Sequence, residues 1–371
     1  MSEPIRVGVI GAGTDRGWAS RSHLPALAAL PDYRLTAVAT TRSGSARRAA
    51  ELHGADHHFT DPARLSGHPD VDLVVVAVKT PHHADLVLAA LEAGKHVYCE
   101  WPLACTTKEA ETLAAAAERA GVHHAVGLQA RHAPAVRHAR DQLASGAIGR
   151  ITGIDVYATR AKGAGGTVTS DAVYTLDRNN GVGTLEVAGG HTLDLLEFLA
   201  GRVGRLSAAL SVQQPRLTVS DTSESVGVTS ADHLLIGGFL ATGVPFSAHV
   251  HDGKTSHART RLEFSGTRGS LALVSEGPGA GHGIQVSDIR LHEPAPGDVW
   301  REVPVPPTHR TAVDVPDTAV RNVAELYTAL ARDIRTGSRT VPDFETGLRL
   351  HLLLDTVRSA DQTATCQIRE V

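Results

Sequence analysis

Ile5-Arg6-Val7-Gly8-Val9-Ile10-Gly11-Ala12-Gly13-Thr14-Asp15-Arg16-Gly17 is the stretch on which the fold turns. An apolar run with strand character meets three glycines, and a helical pattern follows through Leu24–Leu30. A dinucleotide-binding turn needs that strand–loop–helix context. Gly11 and Gly13 let the backbone approach a pyrophosphate, and Gly17 opens a helix whose N-terminus favours negative charge. Arg16 and Trp18 flank the same turn. One extra residue separates Gly13 from Gly17 relative to the G-x-G-x-x-G spacing, so the loop alone is a weak signal and the elements after it decide.

Those elements alternate. Arg34–Thr40 is strand, Ser45–His53 helix, and Asp72–Val78 a valine-rich run expected of a parallel strand buried on both faces. Ala84–Ala93 is helix, His96–Glu100 strand, Lys108–Ala120 an alanine-rich helix closed by Gly121, and Val122–Leu128 strand. The order predicts an α/β domain over residues 1–128, a doubly wound parallel sheet. After Gln129 the pattern changes. Pro134–Ser145 and His191–Leu199 are helical. Ile151–Thr159, Arg205–Gln213, Ser225–Thr229, His233–Leu240, Val244–Val250, Arg259–Ser265 and Ser270–Val274 read as strands. Residues 129–371 are therefore expected to form an α+β domain with a large, mainly antiparallel sheet, used for substrate binding and oligomerisation. Glu276–Pro307 reads as loop around one strand, and closing helices within 322–360 can pack back on the first domain. So few helices can cover only one sheet face, so a homodimer or homotetramer is expected.

Composition narrows the partners. The 371 residues carry a net charge of −4 with no basic block, which argues against nucleic acid or an anionic membrane. The opening residues show no secretory pattern, no run can span a bilayer, and Cys99, Cys105 and Cys366 form no disulfide framework. A cytoplasmic protein is expected. Among 21 histidines, His249-x-His251 puts two rings on one strand face, as a metal pair does. No third ligand is placed by spacing, and no metal is expected.

The end of the second strand reads the cofactor. NAD sites place an acid there for the ribose hydroxyls. Ala39-Thr40-Thr41-Arg42-Ser43 has none, and Thr41 and Arg42 suit a 2′-phosphate, so NADP is favoured over NAD.

His96-Val97-Tyr98-Cys99-Glu100-Trp101-Pro102-Leu103-Ala104 resembles the strand ending in Glu-Lys-Pro that marks the glucose–fructose oxidoreductase/inositol dehydrogenase (Gfo/Idh/MocA) family. Val78-Lys79-Thr80-Pro81-His82-His83, Gln129-Ala130-Arg131 and Phe264–Leu271 resemble its other recurrent segments, and the likeness covers almost the whole chain. It implies NAD(P)-dependent chemistry on a sugar or cyclitol-like ligand. In the family the lysine helps move the proton, and an Asp stands four residues before a catalytic His. Here Trp101 replaces the lysine, Val187 replaces the aspartate, and His191 remains. These departures resemble the subgroup of the fungal galactose-gene co-repressor, which binds NADP as a sensor.

The resemblance implies cofactor contacts from Gly11, Gly13, Arg16, Gly17, Trp18, Thr41, Arg42, Lys79, His83, Glu100, Trp101, Pro102 and Gln129. It implies ligand contacts from Trp101, Arg131, Lys162, Tyr174 and His191. His191 is the expected acid/base, kept neutral by the helix it begins, with Lys79 as the substitute. The expected function is oxidoreduction of a secondary alcohol or ketone. A sensor without turnover and a redox-neutral enzyme using bound cofactor transiently are the alternatives.

Overall fold

The computed structural model describes residues 3–13, 17–277, 279–297, 299–310, 315 and 317–369. The chain divides into two units: residues 1–129 with 311–351, and residues 130–310 with 352–371. The first stretch of the first unit ends at Gln129. The return of residues 311–351 to the first unit departs from a simple split at 128.

The first unit is built on six parallel strands, β1 (Ile5–Ile10), β2 (Tyr33–Ala39), β3 (His57–Phe59), β4 (Leu73–Val76), β5 (His96–Cys99) and β6 (His124–Val126), in the order β3-β2-β1-β4-β5-β6. All four residues of β4 are fully buried, which explains a run of valine with no polar alternation. The order reverses direction at β1, so a crevice opens beyond the ends of β1 and β4, where open α/β sheets bind ligands. Helix Thr318–Thr336, capped by Asp317 on the amides of Ala319 and Val320, belongs to this unit. Its Val323, Leu326, Tyr327 and Leu330 share one apolar core with Val7, Val9, Leu24 and Leu27.

The second unit carries a nine-stranded sheet. Its strands are β7 (Ile151–Thr159), β9 (Val203–Ser211), β12 (His233–Leu240), β13 (Pro245–His251), β14 (Thr260–Gly266), β15 (Ser270–Ser275), β16 (Arg290–Ala295), β17 (Val299–Glu302) and β18 (Gln367–Ile368). The order is β17-β16-β15-β14-β7-β13-β12-β9-β18, antiparallel except where β13 meets β7. A small sheet joins β8 (Thr167–Val168), β10 (Arg216–Val219) and β11 (Ser225–Gly227). Two strands, not one, lie within the Gly/Pro-rich stretch, paired through His292 and Glu302. Alternation is strict in β12 and β13: Leu234, Ile236, Phe246, Ala248 and Val250 are buried, while Leu235 and Ser247 are exposed on the opposite face. No helix among the described residues is long and apolar enough to cross a membrane.

Candidate functional site

In the first unit the crevice is lined by backbone that cannot carry a side chain. Gly11 has φ +100°, and a Cβ there would stand 2.5 Å from the carbonyl oxygen of Ala77. Its amide is held by Ala39, 3.0 Å away. So Gly11 seats the loop between β2 and β4, which only glycine permits. A Cβ on Gly13 would meet nothing within 4 Å, as expected where a ligand's phosphates approach the backbone. Ser20 Oγ donates to the Gly13 carbonyl and folds the turn onto the helix after Gly17. Arg16 lies outside the described residues. Trp18 Nε1 and Gln129 Oε1 are buried without a hydrogen-bond partner. A buried polar atom left unpaired is costly, so both are poised for a bound group. Thr41 and Arg42 are exposed beyond β2, and Arg42 pairs with no carboxylate among the described residues. Lys79 is exposed just past β4. These residues fit a dinucleotide.

Three of the expected contact residues act differently. Both ring nitrogens of His83 lie on backbone carbonyls, Nδ1 2.9 Å from Pro102 and Nε2 3.1 Å from Val78. The ring is fully buried between these two carbonyls, and as a neutral imidazole it donates to one of them at a time. The Glu100 carboxylate accepts from His23 Nε2 at 2.9 Å, and His23 Nδ1 lies 2.8 Å from the Tyr327 hydroxyl. A carboxylate only accepts, so the proton sits on Nε2 and Tyr327 donates to Nδ1. A Cβ at Gly127 would come within 2.8 Å of a Glu100 oxygen, so any larger residue would displace that carboxylate from its bond with His23. Trp101, joined to Pro102 by a cis peptide bond, is buried with its ring 4.9 Å from that of His351. His23, Tyr327 and His351 were missed in the sequence, because partners up to 304 residues apart leave no spacing signal.

The second unit holds a buried polar cluster. Arg160 grips Asp252 with two hydrogen bonds of 2.7 and 2.8 Å, and Thr184 Oγ1 donates to the same carboxylate at 2.5 Å. Burial pushes the Asp252 carboxyl up, but Arg160, with help from Lys162 and Thr184, outweighs this and holds it below the ordinary aspartate range. Lys162 is lowered to about 8, first by burial and then by Arg160, against the opposing pull of Asp252 and Glu186. His191 is fully buried, with Nδ1 lacking a partner, and is lowered to about 3 by burial and then by Arg160.

The neutral imidazole expected at His191 is therefore present for a different reason. Helix Gly190–Ala200 does not start at His191, because a π-helical turn, Leu185–Gly189, runs straight into it. Desolvation and a neighbouring guanidinium, not a helix end, keep the ring uncharged. An imidazole this hard to protonate is a hydrogen-bonding group, and a poor proton acceptor at neutral pH. Arg131 also changes role: its guanidinium forks onto buried Asp194 (2.8 and 3.0 Å) and lies 5.0 Å from the Phe198 ring. Glu186 pairs with Arg358 at 2.6 Å, away from the position Val187 has taken. Tyr174 sits half-buried in the 3-10 segment Ser170–Leu176, its hydroxyl raised by burial and by Asp171. Arg160 and Asp252 were not singled out by sequence, since 92 residues separate them.

Residues 5–128 match the oxidoreductase family with an NAD-binding Rossmann fold, Gfo/Idh/MocA, and residues 134–275 match the Gal80p C-terminal domain. The dehydrogenase aclE of Aspergillus oryzae is 34% identical over 75% of this chain and 78% of its own length. The chain belongs to the Gfo/Idh/MocA family. Its other relatives include the 1,5-anhydro-D-fructose reductase of Ensifer adhaerens, 32% identical over 72% of this chain and 74% of that one. The galactose/lactose metabolism regulatory protein GAL80 of Saccharomyces cerevisiae is 26% identical over 92% and 82%. Among solved folds, a super-repressor mutant of Gal80p from S. cerevisiae superposes with a TM-score of 0.86 at 24% identity, covering 99% of this chain and 98% of that one. Levoglucosan dehydrogenase in complex with NADH and levoglucosan gives 0.82 at 22%, covering 99% of each.

Removing Asp252 leaves Arg160 buried and unpaired, which costs about 3–5 kcal/mol. Asp252→Ala should lower stability by that amount in urea unfolding, whereas Asp252→Asn, which keeps one acceptor, should lose less. Equal, small losses in both would show that the pair contributes little.

Proposed function

We propose that this Gfo/Idh/MocA member is an NAD(P)-dependent oxidoreductase that interconverts a secondary alcohol and a ketone on a sugar or cyclitol-like substrate. The observation that carries the reading is Lys162, an amine brought near neutrality inside a polar cluster that also holds His191. A proton-transfer group works best with a pKa close to the operating pH. Lys162 therefore takes the task expected of His191 or Lys79, accepting the hydroxyl proton as the carbonyl forms. His191 orients the substrate as a neutral hydrogen-bonding group. The nicotinamide dinucleotide supplies the hydride acceptor or donor. The backbone at Gly11, Gly13 and Gly17 would hold its pyrophosphate, with Trp18, Lys79 and Gln129 around it, and Thr41 and Arg42 would take a 2′-phosphate. His83 and Glu100 position the loops. Relatives named as dehydrogenases and reductases support this reading. So do three free thiols, which suit a reducing cytoplasm.

One observation favours a second reading, a cofactor-binding sensor. Trp101 and Val187 replace both of the family's usual partners of His191, and the GAL80 of S. cerevisiae is alignable in sequence over 92% of the chain against 75% for aclE. Turnover separates the two. Under the enzymatic reading, a polyol panel yields reduced nicotinamide at the absorbance band. Lys162→Met then lowers turnover about a hundredfold or more with dinucleotide affinity unchanged. The alkaline-side activation of alcohol oxidation, which follows loss of the amine's proton near pH 8, should vanish with it. Dinucleotide binding without turnover on any substrate would leave the sensor.

NADP should bind more tightly than NAD, and Arg42→Ala should remove the difference. Equal affinities in the unaltered protein would refute the preference.

We further infer a homodimer or homotetramer joined through the open face of the nine-stranded sheet, where Leu235 and Phe239 are 53% and 37% exposed. Sedimentation at micromolar concentration should give a multiple of 39.0 kDa, and Leu235→Glu should reduce it. A single 39.0-kDa species in the parent would exclude this.

A further inference from the structure

On the open face of the nine-stranded sheet, three imidazoles converge. His251 of β13 pairs in register with His233 of β12, and His249 lies two residues earlier on the same face of β13. Ring centroids are 4.7 Å apart for His233 and His251, 4.8 Å for His249 and His251, and 6.0 Å for His233 and His249. One ring nitrogen from each can be chosen so that all three lie within 4.8 Å of one another. Zinc–imidazole bonds of about 2.0–2.1 Å in a tetrahedron put ligand nitrogens roughly 3.4 Å apart. Binding therefore requires the half-buried side chains to draw in from a spacing of up to 4.8 Å, and the stacked His233 and His251 rings, 8° between planes, to turn until one point lies in both ring planes.

The tautomers are already fixed for coordination. His251 Nδ1 faces the carbonyl of Asp252 at 3.0 Å, and a carbonyl only accepts, so Nδ1 carries a proton and Nε2 is the acceptor, held by the Tyr157 hydroxyl at 3.3 Å in a bond that a metal would replace. His233 Nδ1 donates to the Asp232 carboxylate at 3.0 Å, which leaves Nε2 as its acceptor. Asp232 is itself held by the amides of Gln213 and Gln214, at 2.8 and 2.9 Å. Metal-binding histidines characteristically donate their second ring N–H to a carboxylate or a backbone carbonyl. Both arrangements occur here, on two strands, around one point.

We propose that His233, His249 and His251 bind a late first-row divalent transition metal, with Asp232 and the Asp252 carbonyl orienting two of the ligands. The three ligands come from one chain and join β12 to β13, and the site abuts the Arg160 cluster, since Arg160 donates its amide to the His251 carbonyl and pairs with the Asp252 carboxylate.

Cobalt(II) is the probe, because its visible absorption reports tetrahedral coordination. Chelator-treated full-length protein should take up one cobalt per chain with that spectrum, and zinc should displace it. His249→Ala and His251→Gln should abolish the spectrum with circular dichroism unchanged. Asp232→Asn, which retains all three ligands, should weaken binding about tenfold to a hundredfold. If both histidine variants bind like the parent, or the parent shows no stoichiometric uptake, the proposal is overturned. It is equally overturned if the signal disappears only on His57→Ala, since His57, His68 and Asp70 form the other cluster of metal-ligand type among the described residues.

Discussion

The buried Arg160–Asp252 pair sets the electrostatics of the second unit. Two charges taken out of water must satisfy each other, and here the guanidinium fork and the Thr184 hydroxyl do so. Once Arg160 is fixed, its charge reaches neighbours that are also poorly hydrated. It makes a proton on His191 costly and a proton on Lys162 less secure. Burial first, and the Arg160 charge second, lower His191 to about 3 and Lys162 to about 8, while Asp252 pulls Lys162 back up. Both groups owe their state to the same desolvation. A looser, wetter cluster would return them towards ordinary values and erase the distinction between them.

Steric constraint does the corresponding work in the first unit. Gly11 and Gly127 each stand where a methyl group would collide, one with the Ala77 carbonyl and the other with Glu100. The first brings the loop into the crevice at the switch in strand order. The second lets Glu100 lie against β6 and accept from His23, which in turn accepts from Tyr327 on the returning helix. The crevice is therefore held open by backbone and by a buried hydrogen-bonded relay, leaving Trp18 and Gln129 with unpaired polar atoms for a ligand.

Local features of this fold were legible in the sequence and long-range ones were not. The buried valines of β4, the glycine loop and the alternation of β12 and β13 follow from periods of two and from turn chemistry, which act over a few residues. The three-residue strand β3 carries too little pattern to stand out. Sequence position put His83 near the cofactor, but its ring nitrogens' neighbours, the carbonyls of Val78 and Pro102, are visible only in the coordinates. His249 and His251 were visible as a pair because they lie on one strand. His233 joins them through the β12–β13 register, which depends on the length and geometry of the turn between the strands.

The exchange of lysine for Trp101 need not be a loss of function when the whole proton inventory is considered. Hydride transfer asks the protein for one group that can hold a proton and for fixed geometry around the reacting carbon. A lysine after Glu100 would supply the first from the dinucleotide unit. Indole offers a single weak donor and no exchangeable proton near neutral pH, so at this position the chain gives up acid–base chemistry and gains a rigid aromatic surface against His351. On the proposed reading, Lys162 is the group that holds and releases the proton. Its pKa is lowered by burial first and by Arg160 second, so the compensation needs a dry surrounding as well as the lysine. A family member with Trp at 101 and an ordinary solvated amine at 162 would keep the fold and the dinucleotide crevice but lack a proton acceptor suited to neutral pH. That combination is what a binding-only relative requires, and the environment of Lys162 is the physical feature that separates the two.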